Sequence, residues 1–321
     1  MQALSRRAAL IGAGALATPA LAQAPWPDRP IRWVVNFPPG GAADTLSRIL
    51  APVVSTRLGQ PVVVENRPGA GGALGADILA KAPGDRFLVM ISSAASHGIG
   101  PVLYRNPPYD ALRDFTHIRL IGTFPSVLAV NLDFPARNLA EFLAVARQRP
   151  VSYGSGGNGT LNHLIGQLLA RAAGVDLTHV PYRGSAPALT DTISGQIPAI
   201  MESLPIALPH LRGGRLRALA SSEATRPASF ADVPTFAEQG FPQVVASNWF
   251  GFSAPAGLPP EIIARWDAEI AHALADPAVV ERFTPIGVRP GAEGPAGYTA
   301  LVRSELERWR AVIAAGNITA D

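Results

Sequence analysis

The 321 residues carry 27 basic and 24 acidic side chains for a formal charge of +3, with 48% of the chain apolar and 16% charged. That length exceeds the usual ~100 to 200 residues of one domain, so two domains with cores of their own are expected, and the apolar content excludes a disordered chain. Scattered basic residues, without a run of five or interleaved aromatics, exclude a nucleic-acid binder despite a pI near 9.7, and the lack of cysteine excludes disulfides, thiolate zinc sites, cysteine nucleophiles and a lipidated N-terminal cysteine.

Residues 1 to 22, MQALSRRAALIGAGALATPALA, set the basic pair Arg6-Arg7 before a short apolar stretch that ends in Ala20-Leu21-Ala22. This is the pattern of a secretory signal peptide rather than of a buried N-terminal helix. Pro19 interrupts the stretch, which is shorter than the ~20 apolar residues a bilayer requires. Cleavage is expected after Ala22, because a cut after Ala24 would leave Pro25 directly behind the scissile bond. The arginine pair leaves a twin-arginine route open. The mature protein is expected outside the cytoplasm.

The mature chain repeats one unit: a β-branched run, a Gly/Pro/Ser loop, and a stretch with helical apolar spacing, the sequence form of a βαβ crossover. Mainly parallel sheets follow from it. Strands are predicted at Ile31 to Phe37, Val62 to Val64 and Phe87 to Ile91, with helices at Ala42 to Leu58 and Leu74 to Ala82. The third strand runs into Ser92 and Ser93. The pattern shifts after Asp114: a strand at Phe124 to Val130, a helix near Leu139 to Gln148, then a second set of units with strands at Val151 to Tyr153, Thr178 to Tyr182 and Leu216 to Ser221 and helices at Thr160 to Ala173 and up to Ser194. An extended stretch, Val244 to Ala254, precedes amphipathic helices near Pro260 to Ala275 and Ala296 to Ala314. Two α/β lobes are expected, residues 24–124 and 125–249, with 250–321 returning to lobe I.

In parallel α/β sheets ligands sit beyond the carboxyl ends of the strands, where loops lead into helices. Two such loops are glycine-rich: Pro38-Pro39-Gly40-Gly41 after the first strand, and Gly154 to Thr160 in the second lobe. Unpaired amides and the positive end of the helix dipole suit an anion there. Alternatively both loops are ordinary turns, with Asp44 a first-turn acid and Thr160 a cap. Gly154, Gly156 and Gly159 also fit the dinucleotide fingerprint, but Asp176 precedes its strand instead of ending it, so no ribose-reading acid stands in place. There is no G-x-S-x-G, no G-K-[ST] loop and no H-E-x-x-H, and the six histidines show no ligand spacing. Neither a metal, a cofactor nor a catalytic set is called for. His163 could donate to a ligand or pack inside the helix; Glu202, after the apolar run Ile197 to Met201, could meet a ligand hydroxyl or amine or be a hinge acid; Arg183 could face an anion or be solvated.

The stretches Asn36 to Asp44, VVVENRPGAGG (Val62 to Gly72), HVPYRGSAPA (His179 to Ala188), Leu216 to Ala220 and Asp232-Val233-Pro234-Thr235 resemble the tripartite tricarboxylate transporter receptors, or Bug proteins, over essentially the whole mature chain. The resemblance implies a type II periplasmic binding-protein fold whose lobes close on a small organic acid. It further implies a periplasmic, monomeric receptor serving membrane transporter subunits or a sensor domain. The carboxylate would be held on Phe37 to Gly41 and on Ser155 to Thr160. The residues carried as candidate ligand contacts are thus Phe37, Gly40, Gly41, Asp44, Ser92, Ser93, Ser155, Asn158, Gly159, Thr160, His163, Arg183 and Glu202. Asn36 stands where the family often has Pro, and Glu202 where it often has Asp.

Overall fold

The computed structural model describes residues 26–316, 318 and 319, so the expected leader and its cleavage site lie outside the described residues. In lobe I, β1 (Ile31–Val35) runs parallel between β2 (Val62–Asn66) and β3 (Leu88–Ser93). Helices α1 (Ala42–Leu58) and α2 (Ala73–Ala80) complete the crossovers. A strand covered on both faces reads as an apolar run, and IRWVV is one except at the exposed Arg32, which pairs with Glu65 of β2. Its Trp33 is fully buried, edge-on to Phe252 with ring centres 4.8 Å apart. After β3 the chain makes a π-helical turn, Ala94–Ile99, and the short α3 (Gly100–Leu103).

β4 (Phe115–Asn131) then leaves lobe I and enters lobe II. It begins at Phe115 rather than at Phe124 because register breaks between His117 and Arg119 and between Leu120 and Gly122 disturb the two-residue alternation by which strands are recognised. Lobe II continues with α4 (Leu139–Gln148), β5 (Val151–Ser155), α5 (Leu161–Ala173), β6 (Leu177–Pro181), α6 (Ser185–Ile193), β7 (Ala199–Ser203), α7 (Leu204–Arg212) and β8 (Leu216–Ser221). Here β5 is parallel to β6 and to β7. α7 escapes the sequence reading because Pro205 and Pro209 mask its helical spacing; the first stands in the opening turn, where no amide is needed.

β9 (Ser247–Pro255) crosses back and pairs antiparallel with β4 from Pro125 to Phe115. From Ser126 onward β4 takes β7 and β8 as partners instead. Pro125, which has no N–H to give a ladder, stands at this change of partners. The outer strands of both lobes are therefore parallel, while the crossing strands add antiparallel ladders, and the ten strands of the described residues form one mixed sheet.

The last segment carries α8 (Pro260–Ala275), α9 (Pro277–Phe283), the two-residue β10 (Arg289–Pro290) and α10 (Pro295–Gly316). α8 and α9 supply Ile262, Trp266, Ile270 and Phe283 to the lobe I core. α10 does not return to lobe I alone. Its Tyr298 and Val302 pack with Leu120 and Trp249, whereas Trp309 belongs to the lobe II core with Leu164 and Ile165, and Arg171 of α5 bonds the Ala315 carbonyl. No helix of the described residues is long and apolar enough to cross a membrane.

Candidate ligand-binding site

The parallel strands β1, β3, β5, β6 and β7 each end where a helical segment begins, so five helical starts gather between the lobes. One cleft is lined by all five: by Ala42 and Ala43, by Ala94 and Ala95, by Leu161 and Asn162, by Ser185 and Ala186, and by Ser203 ahead of α7. Asn248, Trp249 and Phe250 of β9 close it on the side of the crossing strands. The first amides of a helix have no carbonyl one turn back and carry the positive end of the dipole. At α1, α6 and α7 the capping positions Gly41, Gly184 and Ser203 place no side chain over those amides. Such an assembly suits an anion.

Of the residues picked from the sequence, Phe37, Gly41, Ser93, Thr160, Arg183 and Glu202 line the cleft. Thr160 is at once wall and cap, its hydroxyl accepting from the His163 amide at 3.3 Å and donating to the Gly157 carbonyl at 2.8 Å. Ser93 likewise caps the π-helical turn through Ser96. Arg183 is exposed and makes no ion pair among the described residues.

The other seven are placed elsewhere. Gly40 is on the outer face of its loop, beside Leu189 and Ile206. Asp44 turns back from the cleft: its Oδ2 accepts from the Gly40 amide, while Oδ1 accepts from Arg48 and Asn66, both at 2.9 Å. These donors hold its carboxyl below the usual range against the opposing effect of burial. Ser92 alternates away from Ser93 and bonds Ser253 and Tyr298 inside lobe I. Ser155 points at His179 Nε2, 2.7 Å away. His163 accepts from the Gly159 amide and stacks on His179 with ring centres 4.1 Å apart; burial lowers its pKa to about 4, so it packs as a neutral ring. Asn158 and Gly159 face a neighbouring surface groove and α3 rather than the cleft, and a Cβ on Gly159 would lie 2.9 Å from the Tyr104 hydroxyl.

The sequence reading missed Asn162, Ser185, Ser203 and Asn248. Their signal is positional: Asn162, Ser185 and Ser203 stand at helix starts and Asn248 in the strand that crosses back. The polar floor of the cleft depends on them. Glu202, 1% exposed, takes the Ser203 amide at 2.7 Å and Asn162 Nδ2 at 3.3 Å on Oε1, and its Oε2 has no hydrogen-bond partner. Burial pushes its carboxyl above the usual range, with Ser203, Ser185 and Asn162 pulling against it. Ser185 is near enough for that influence without a properly formed bond to Oε2.

The dinucleotide alternative finds no support in this arrangement. Asp176 precedes β6, and its carbonyl accepts the Val151 amide at the end of the sheet opposite the cleft.

The sequence matches the family described as "Tripartite tricarboxylate transporter family receptor" over residues 46–318. It is 38% identical over 291 residues to protein BugT of Bordetella pertussis, covering 90% of this chain and 89% of that one. Among solved structures it is similar to Rpa4515 of R. palustris with adipate, at TM-score 0.88 and 34% identity over 92% of this chain and 99% of that one. It is also similar to MatC from Rhodopseudomonas palustris with bound malate, at TM-score 0.84 and 31% identity over 89% and 99% of the two chains.

Proposed function

The chain belongs to the tripartite tricarboxylate transporter receptor family and has its periplasmic binding-protein fold, and from that premise we propose that it captures a small organic carboxylate in the cleft and hands it to the membrane subunits of a transporter. The observation that carries this reading is the meeting of five helical starts, three without a side-chain cap, on one cleft between lobes. Their amides offer fixed positive potential and hydrogen bonds to an anion at no cost in reorganisation. Two relatives of the same fold were solved with adipate and with malate, both small dicarboxylates. The basic pair and small-residue ending of residues 1–22 support export to the periplasm.

A thermal-shift screen of the mature protein against di- and tricarboxylates, aromatic acids and amino acids tests the binding step. A ligand at 100 times its Kd should add ~2.7 kcal/mol of stability. Failure of every acid to move the melting point would overturn the reading. Delivery is tested by uptake of the acid so identified, which should disappear on deletion of the receptor and return with the wild-type chain.

A further inference from the structure

Glu202 is a second recognition element, distinct from the helical starts and resting on the reading that a carboxylate occupies the cleft. We propose that its Oε2 selects, among small carboxylic acids, those that also carry a hydroxyl or an ammonium group.

The argument begins with a polar atom that has nothing to bind. Glu202 ends β7, is 1% exposed and belongs to the cleft wall, yet Oε2 is unpartnered. Buried polar atoms are nearly always satisfied, and an orphan costs about 1 to 3 kcal/mol, more when charged. The nearby amides are already spent, and the hydroxyls of Ser185 and Ser203, though close enough to act on the carboxyl, form no bond to Oε2. Asn248 Nδ2 donates to Ser126 Oγ at 2.7 Å, Ser126 Oγ donates to Asn162 Oδ1 at 2.5 Å, and Asn162 Nδ2 donates to Glu202 Oε1. Every hydrogen in this chain points toward Glu202. Asn162 spends its amide on Oε1 while its Oδ1 holds Ser126, and the Ser203 amide is also on Oε1.

Among the described residues no cation pairs with Glu202; beside the effect of burial, the groups acting on it are the neutral dipoles of Ser203, Ser185 and Asn162. An O–H or N–H of the ligand satisfies Oε2 directly, and an ammonium also neutralises the group. With Glu202 ionised, a bare carboxylate aimed at the same atom sets acceptor against acceptor. With the ligand's carboxylate drawn to the amides of the helical starts, the cleft therefore has an anion-seeking wall and a donor-seeking floor.

Two matched series test this by calorimetry on the mature protein: succinate, malate and aspartate, then glutarate, 2-hydroxyglutarate and glutamate. Within each series only one substituent changes, from hydrogen to hydroxyl to ammonium. In at least one series the hydroxy or amino acid should bind at least tenfold more tightly than the unsubstituted acid, and the better of the two substituents identifies the donor. Glu202→Gln, which keeps the size of the side chain, should erase that preference, the hydroxy and amino acids losing at least tenfold relative to the unsubstituted acid of the same series. Glu202→Asp, with its carboxylate drawn back by one methylene, should retain part of the preference. Equal or tighter binding of the unsubstituted acids in both series overturns the inference, as does an equal loss for all six acids in Glu202→Gln. If none of the six binds while other carboxylates do, this inference fails and the carboxylate reading stands; if no carboxylate binds, both fail.

Discussion

Gly184 of lobe II lies against Pro38 of lobe I so closely that a Cβ built on the glycine would be 2.9 Å from the proline Cγ. The contact joins the α6 start to the first glycine loop, and with Gly159 against Tyr104 it brings the two lobes together beside the cleft. Gly184 also has φ of +112°, a conformation L side chains rarely adopt. Gly184→Ala is therefore expected to oppose closure by about 1 to 3 kcal/mol, the usual range for overpacking. Ligand affinity should fall tenfold or more, and solution scattering should show less compaction on ligand addition. Native affinity with normal compaction would refute the role of this contact.

Asn162 holds two groups at once, accepting from Ser126 and donating to Glu202. Asn162→Ala takes away the acceptor of the buried Ser126 hydroxyl and one of the two donors to Glu202 Oε1, which keeps the Ser203 amide, at about 1 to 3 kcal/mol for the orphaned hydroxyl. Urea denaturation should show a stability loss within that range or somewhat above it. An unchanged midpoint would mean that water replaces the amide.

Glu305 of α10 is the common acceptor of two indole donors, Trp249 Nε1 at 3.1 Å and Trp309 Nε1 at 3.0 Å. Trp249 lines the cleft, and Trp309 is fully buried in the lobe II core. Glu305→Ala strands both, so destabilisation of about 2 kcal/mol or more is expected, together with weaker ligand binding because Trp249 loses its anchor. Calorimetric unfolding and ligand titration of one variant read both effects; loss of stability without loss of affinity would detach Trp249 from the site.

Three histidines, His97, His117 and His163, are buried and a fourth, His179, is half-buried, all as neutral rings. Burial lowers His117 and His163 to about 4 and His179 to about 3, the last also through its neighbour His163, and holds His97 well below the usual range with His117 beside it. The unfolded chain takes up these protons near pH 6.5, whereas the folded chain refuses them until pH is far lower. Their contribution is thus complete above pH 6.5 and is lost as pH falls from there toward about 4, at up to about 1.4 kcal/mol per pH unit for each ring. Melting temperatures measured between pH 7.5 and 5 should decline steadily below pH 6.5. A flat profile would contradict the burial of these rings.

Arg183 is exposed at the cleft. An exposed charge contributes about 0.2 to 1 kcal/mol and is screened by salt. Arg183→Ala should weaken binding of an acid only a few-fold at low ionic strength, with the difference vanishing in about 1 M salt. A hundredfold loss would show that the guanidinium is enclosed with the ligand.

The limits of α1, α4 and α8 were readable from the residue string because short-range signals mark them: Gly59 in the left-handed conformation ends α1, Asn138 caps α4 by accepting from the Glu141 amide, and a proline opens α8. The same local signals located both glycine loops at strand ends, and with them the level at which a ligand would sit. They could not say which way a side chain at that level turns. Asp44 and Thr160 both stand at helix starts, yet Asp44 is drawn away by Arg48 and Asn66 while Thr160 remains on the wall. Nor could they show that Ser126 and Asn248, 122 positions apart, meet at the crossing and orient an amide toward Glu202. Caps, turns and alternation act within a few residues and are written locally. Side-chain direction at the cleft is decided by partners from distant segments, which become neighbours only when β4 and β9 carry the two lobes together.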